Sequence, residues 1–190
     1  KPLVLDGGFG TMVQRYGLKE EDFRGYRYRD IPGMLLGNNE MLCLTRPDVV
    51  GEIYSAYVGA GVDILTANTF SANYISQADY NCQHLVAEMN REAVRLARRA
   101  FADSGREGFV IATVGPTNKS LSISPDMNDP ACRAITFDQL AEAYIGQMEV
   151  LAQEGVDAIL LETVFDTLNA KAGIYAMQEV MQRTGKDIPL

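Results

Sequence analysis

Gly61-Val62-Asp63-Ile64-Leu65-Thr66-Ala67-Asn68-Thr69 and Gly155-Val156-Asp157-Ala158-Ile159-Leu160-Leu161-Glu162-Thr163 follow one template and align without a gap. Each comes after an amphipathic helical stretch and puts glycine where a helix stops. A short apolar run follows, the pattern of a strand buried on both faces. The runs close on polar side chains, Asn68 in the first copy and Glu162 in the second. Apolar strands with polar residues at their C-terminal ends are how (βα) barrels present a functional site. The repeat therefore bears on architecture and chemistry together.

Working outward, residues 3–5 read as a first buried strand, entered directly from Lys1 and Pro2 and ending at Asp6-Gly7-Gly8. An irregular stretch runs to Arg46, and Pro47 with Asp48 suits the first turn of a helix reaching about Gly59. The second strand is placed at 62–66, the clearest helix at 85–101 and the third strand at 109–114, stopped by Gly115-Pro116. A polar loop over 117–134 precedes a helix at 138–153, a fourth strand at 156–161 and a helix at 168–183. Residues 188–190 open a fifth strand. Four β-then-α units imply parallel strands with right-handed crossovers. They amount to half of a (βα)8 barrel, whose full length is about 250 residues. The 190 residues are thus expected to form one domain, 1–190, that stops in mid-barrel. Periodicity leaves a doubly wound open sheet as the competing architecture.

Bulk properties narrow the function. A formal net charge of −8 argues against nucleic acid or an anionic membrane as the main partner, since both reward clustered Lys and Arg. The basic run at 91–99 is interleaved with apolar residues at helical spacing and reads as a solvated helix face. No apolar run approaches the ~20 residues that span a bilayer, and the N-terminus lacks a signal-peptide layout. Cys43, Cys82 and Cys132 are odd in number and unpaired in spacing, which fits reduced thiols in the cytoplasm.

Two places carry candidate chemistry. Glycines directly after a strand leave amide N–H groups free to hold a carboxylate or phosphate, so Gly7 and Gly8 suit an anion while Asp6 suits an ammonium. The plainer reading is a tight turn capped by Asp6. Glu162 closes an apolar strand, a costly position unless the carboxylate is paired or faces a polar cavity; a structural ion pair is the alternative. Asp63 and Asp157 sit at the N-terminal, stability end of their strands, and Asp166 reads as an N-cap or turn residue. His84 is the only histidine, and no cysteine pair has C-x₂₋₄-C spacing, so neither a metal ligand nor a catalytic residue is assigned.

The segments Leu5-Asp6-Gly7-Gly8-Phe9-Gly10-Thr11-Met12, Gly37-Asn38-Asn39-Glu40, Thr45-Arg46-Pro47-Asp48-Val49-Val50 and Thr66-Ala67-Asn68-Thr69-Phe70 together resemble the homocysteine S-methyltransferase family. Gly115-Pro116-Thr117-Asn118-Lys119-Ser120-Leu121-Ser122 and Leu161-Glu162-Thr163-Val164-Phe165-Asp166-Thr167 narrow the resemblance to the N-terminal homocysteine-binding module of cobalamin-dependent methionine synthases. It covers essentially the whole chain.

The resemblance implies a (βα)8 TIM barrel that activates the homocysteine thiol on zinc. The thiolate takes its methyl group from methylcobalamin, which 5-methyltetrahydrofolate recharges on separate folate- and cobalamin-binding modules. By the same resemblance Asp6 and Glu162 hold the homocysteine ammonium, the amides of Gly7 and Gly8 take its carboxylate, and Asn68 lines the site. The family's three zinc-ligand cysteines follow the sixth and eighth strands, outside this chain, and Cys43, Cys82 and Cys132 match none of them. The chain is therefore expected to recognise the amino acid without turning it over. Two alternatives stand beside this expectation: a cobalamin-independent homocysteine S-methyltransferase, and a non-catalytic half-barrel that self-associates.

Overall fold

The two template copies lie in one parallel sheet, separated by a single strand. In the computed structural model, which describes residues 2–190, the strands β1 (Ile64–Ala67), β2 (Phe109–Val114) and β3 (Ala158–Leu161) run in the order β1-β2-β3. The register pairs Thr66 with Ile111 and Thr113 with Leu160. Lys1, read above as the entry to the first strand, lies outside the described residues.

The helices are α1 (Phe9–Gln14), α2 (Glu20–Arg24), α3 (Leu42–Thr45), α4 (Pro47–Ala60), α5 (Tyr74–Ala78), α6 (Val86–Ser104), α7 (Phe137–Gln153) and α8 (Thr167–Thr184), with 3-10 turns at Asn39–Met41 and Gln83–Leu85. Pro47 starts α4, and Gly61 ends it in the left-handed region at φ 99°, a conformation costly to any residue with a Cβ. Gly155, its template counterpart, does the same after α7 at φ 73°. The start of α7 is set by Thr136, which accepts the Gln139 amide while the Gln139 side chain accepts the Thr136 amide. Among the described residues no helix is long and apolar enough to cross a membrane.

The sheet is covered on one side. Leu65, Ala67, Val110, Ala112, Val114 and Ile159 are buried against the helices, whereas Ile64, Thr66, Ile111 and Leu160, on the opposite face by register, stay partly exposed. The expectation of strands buried on both faces is corrected to burial mainly on the helix-covered face, because the helices pack on one face only; Thr113, on the open face, is buried and donates its hydroxyl to the Ala67 carbonyl. One-sided cover also separates this arc of a (βα) barrel from a doubly wound sheet, whose helices cover both faces.

The outermost strand positions are weaker than expected. Leu3, Val4 and Leu5 are exposed, and a single bridge joins Leu5 to Ile64. They form an edge with β1 on one side, so the buried first strand is corrected to a bridged extended segment. At the other edge, Ile159 donates its amide to the Pro189 carbonyl at 2.8 Å. The expected fifth strand is reduced to this contact.

The template aspartates explain how neighbouring strands are held at their N-terminal ends. Asp63 Oδ2 accepts the Val4 amide at 3.0 Å, and Asp157 Oδ2 accepts the Val110 amide at 2.7 Å. Arg98 pairs with Asp157 at 2.7 Å, while Arg91 and Arg95 both reach Glu154 at 3.2 Å. The basic run of α6 is thus more than a solvated face: it ties α6 to the end of α7.

Candidate functional site

At the C-terminal ends of the strands lies a cavity of about 570 Å³. All five residues singled out from the sequence, Asp6, Gly7, Gly8, Asn68 and Glu162, line it. They arrive from three directions: the end of the bridged segment, the end of β1 and the residue after β3. Thr66, Thr113, Phe70, Ser71 and Glu40 complete much of the wall.

Asp6 is fixed from one side. Its carboxylate accepts the Thr66 amide at 2.9 Å and the Thr66 hydroxyl at 2.9 and 3.1 Å. Burial pushes its pKa above the usual carboxylate value; the Thr66 hydrogen bonds oppose that push and the charge of Glu162 adds to it. Burial likewise raises Glu162, whose amide is anchored on the Val114 carbonyl at 3.1 Å. No ion pair to either carboxylate forms among the described residues, and the wall contains no Lys, Arg or His.

Gly7 and Gly8 are held where side chains would crowd. A Cβ on Gly7 would lie 3.1 Å from the Tyr57 hydroxyl oxygen, and one on Gly8 would lie 3.2 Å from Thr11 Oγ1. The Tyr57 hydroxyl donates to the Gly8 carbonyl at 3.3 Å. Among the described residues neither glycine amide donates to a protein acceptor.

Asn68 is buried, its amide held by the Tyr54 hydroxyl at 2.8 Å. Its Nδ2 donates to the Asn39 carbonyl at 2.7 Å and faces Cys43 Sγ at 3.5 Å. Both Nδ2 hydrogens thus point at protein, which leaves Oδ1 as the atom available to the cavity.

Sequence reasoning missed Glu40 as a wall residue. It is 6% exposed and accepts the Ser71 amide at 2.8 Å. Burial pushes its carboxyl above the usual range. In the sequence it closes the polar run Asn38-Asn39-Glu40, which has the look of a solvated loop.

Asp166 caps α8 through the Leu168 amide at 2.9 Å. It also accepts the Ser120 hydroxyl at 2.5 Å, the Ser122 amide at 3.0 Å and the Ser122 hydroxyl at 2.8 Å. Burial disfavours its ionisation, yet these hydrogen bonds hold the carboxyl well below the usual range. Asn169 adds bonds to the Leu121 amide and the Lys119 carbonyl. The segment 115–122 is thereby fastened to the start of α8. His84 is exposed on its 3-10 turn.

The residues present do not fit a zinc ion. Among the described residues no group of three or more His, Cys, Asp or Glu side chains gathers to hold a metal. Cys43 is buried behind Asn68, and that burial pushes its thiol up to about 12. The Cys82 thiol donates to the Tyr80 carbonyl, and Cys132 sits half-buried in the loop before α7.

A family model described as homocysteine S-methyltransferase matches residues 3–189. The fold is also similar to the homocysteine methyltransferase MmuM of Escherichia coli. Its metallated form is 16% identical with a TM-score of 0.70, matching 100% of this chain and 62% of that one. The oxidized form is 17% identical with a TM-score of 0.70, over 98% of this chain and 60% of the other. For the apo form the identity is 16% and the TM-score 0.62, over 98% and 57%. The chain thus spans about 60% of the length of these structures.

Proposed function

The chain belongs to the homocysteine S-methyltransferase family, and from that premise we propose that its cavity binds homocysteine as a zwitterion, in a protein that methylates the homocysteine sulfur. One observation carries the proposal: Asp6 and Glu162 share a wall that contains no cation. Both carboxylates are raised by burial, and Asp6 also by the charge of Glu162. An ammonium within about 4–6 Å of a carboxylate favours its charged form, so a substrate ammonium between the two would offset both effects. The unengaged amides of Gly7 and Gly8 suit the substrate carboxylate, and Asn68 offers Oδ1.

The finer identity we infer is the N-terminal module of a cobalamin-dependent methionine synthase, a cytoplasmic enzyme of methionine biosynthesis. The methyl donor is then methylcobalamin, recharged by 5-methyltetrahydrofolate on folate- and cobalamin-binding modules. The sequence of segment 115–122 favours this over a cobalamin-independent enzyme. Thiol activation is assigned to no residue of this chain, since its cysteines do not fit zinc.

The bare edge at residues 3–5 and the half-covered sheet favour a second reading, association of two copies. Sedimentation as a clean monomer at micromolar concentration would sink it.

Titration calorimetry of this chain with homocysteine, beside Asp6→Asn and Glu162→Gln, tests the ammonium site. Hydrogen bonds to charged groups contribute ~1.5–3 kcal/mol, so each variant should bind roughly 10- to 100-fold more weakly. Unchanged affinity in both would place the ammonium elsewhere.

A further inference from the structure

The loop joining β1 to α5 is held by hydrogen bonds from nearly every element around it. The Gly115 amide donates to the Phe70 carbonyl at 3.0 Å. Gln147 Nε2 of α7 donates to the Thr69 carbonyl at 2.7 Å, and Asn90 Nδ2 of α6 to the Ala72 carbonyl at 2.7 Å. Gln77 Nε2 reaches the Ser71 carbonyl at 3.1 Å and is itself locked in a reciprocal amide pair with Asn38, at 2.7 and 3.1 Å. None of these donors lines the cavity. Glu40 holds the loop from the cavity wall by accepting the Ser71 amide, as Asn39 and Thr113 do through Asn68 and Thr69.

We propose that Glu40 is a positioning residue: it fixes the Phe70–Ser71 wall of the cavity and so sets the shape that homocysteine meets. Glu40 is nine-tenths buried and accepts the Ser71 amide through Oε1. The adjoining turn is tied to the same loop by the bond from Asn68 Nδ2 to the Asn39 carbonyl. Buried amides left without an acceptor are rare and costly, so removing the Glu40 oxygen should free the Ser71 peptide to move. The ligand part of this proposal rests on the homocysteine reading above; the hydrogen bond itself does not.

The test compares this chain with Glu40→Ala and Glu40→Gln by amide hydrogen exchange and homocysteine titration. Gln keeps a carbonyl oxygen for Ser71 but removes the charge; Ala removes both. In Glu40→Ala the Ser71 amide should exchange at least tenfold faster, with α8 core amides such as Ala176 and Met177 unchanged, and homocysteine should bind at least fivefold more weakly. In Glu40→Gln both quantities should stay within about threefold of the parent. Equal exchange at Ser71 in the Ala variant overturns the proposal. So does a Gln variant that keeps Ser71 protected yet loses homocysteine, because Glu40 would then act on the ligand by its charge. Should Glu40→Ala fail to fold, the Gln variant still decides between these outcomes. A parent chain that does not bind homocysteine refutes the functional reading, while the exchange rates still judge the hydrogen bond.

Discussion

Replacing Asp166 by Ala removes the acceptor on which the 115–122 segment and the start of α8 converge. The carboxylate is 5% exposed and accepts hydrogen bonds from Ser120, Ser122 and Leu168. Loss of an N-cap alone costs about 1 kcal/mol. Each hydrogen bond to a charged group adds ~1.5–3 kcal/mol where its partner cannot turn to water. Ser122 is exposed and will rehydrate, so the total should be about 2–4 kcal/mol rather than the sum of all four bonds. In a chain of this size that corresponds to a fall of ~5–12 °C in Tm. Asp166→Asn, which keeps an N-cap acceptor but makes its bonds to Ser120 and Ser122 neutral, should lose about 1 kcal/mol.

The sign of the pH dependence follows from the same contacts. A carboxyl held below its ordinary 3.8 contributes stability above that value and loses it as pH falls toward the folded-state pKa. The gap between parent and Asp166→Ala should therefore be full at pH 6 and shrink below about pH 4. Urea melts at both pH values, with limited proteolysis of the 117–134 loop, measure the effect. A variant within 0.5 kcal/mol of the parent at pH 6, where surface changes usually fall, would refute the latch.

Gly115→Ala would place a Cβ 2.6–2.8 Å from three atoms of the Phe70 ring. Overpacking of this kind costs ~1–3 kcal/mol. Because Phe70 lines the cavity, homocysteine affinity should fall with the melting temperature; an unchanged melt would show that the ring has room to retreat. Iodoacetamide at pH 8, followed by mass spectrometry, should label half-buried Cys132 well before Cys43, whose buried thiol is pushed up to about 12. Equal labelling rates would contradict the burial of Cys43.

Local signals carried much of the fold. Gly61 and Gly155 stop their helices as the template requires, and β2 covers the six residues that its apolar run marks out. The two template strands needed correction because burial on one face or two depends on which helices arrive, and an apolar run is the same in either case. Residues 3–5 carry a core strand's composition at an edge. The site was legible where chemistry sat at a strand end: Asp6, Gly7, Gly8, Asn68 and Glu162 all reach one cavity. Glu40 was not legible, because its hydrogen-bond partner Ser71 lies 31 residues away. The buried amide pair of Asn38 with Gln77 spans 39 residues. No local pattern announces contacts at that separation. Asp166 was readable as a cap from its place before α8, whereas its grip on Ser120 and Ser122 was not.

The most direct test of the amino-acid site is a calorimetric comparison of homocysteine with 4-sulfanylbutanoate, the same molecule without its ammonium, on this chain at pH 7. Carboxylates paired around a cation-free cavity predict that homocysteine binds and that the analogue binds at least tenfold more weakly. Equal affinity, or tighter binding of the analogue, would mean that Asp6 and Glu162 do not receive an ammonium.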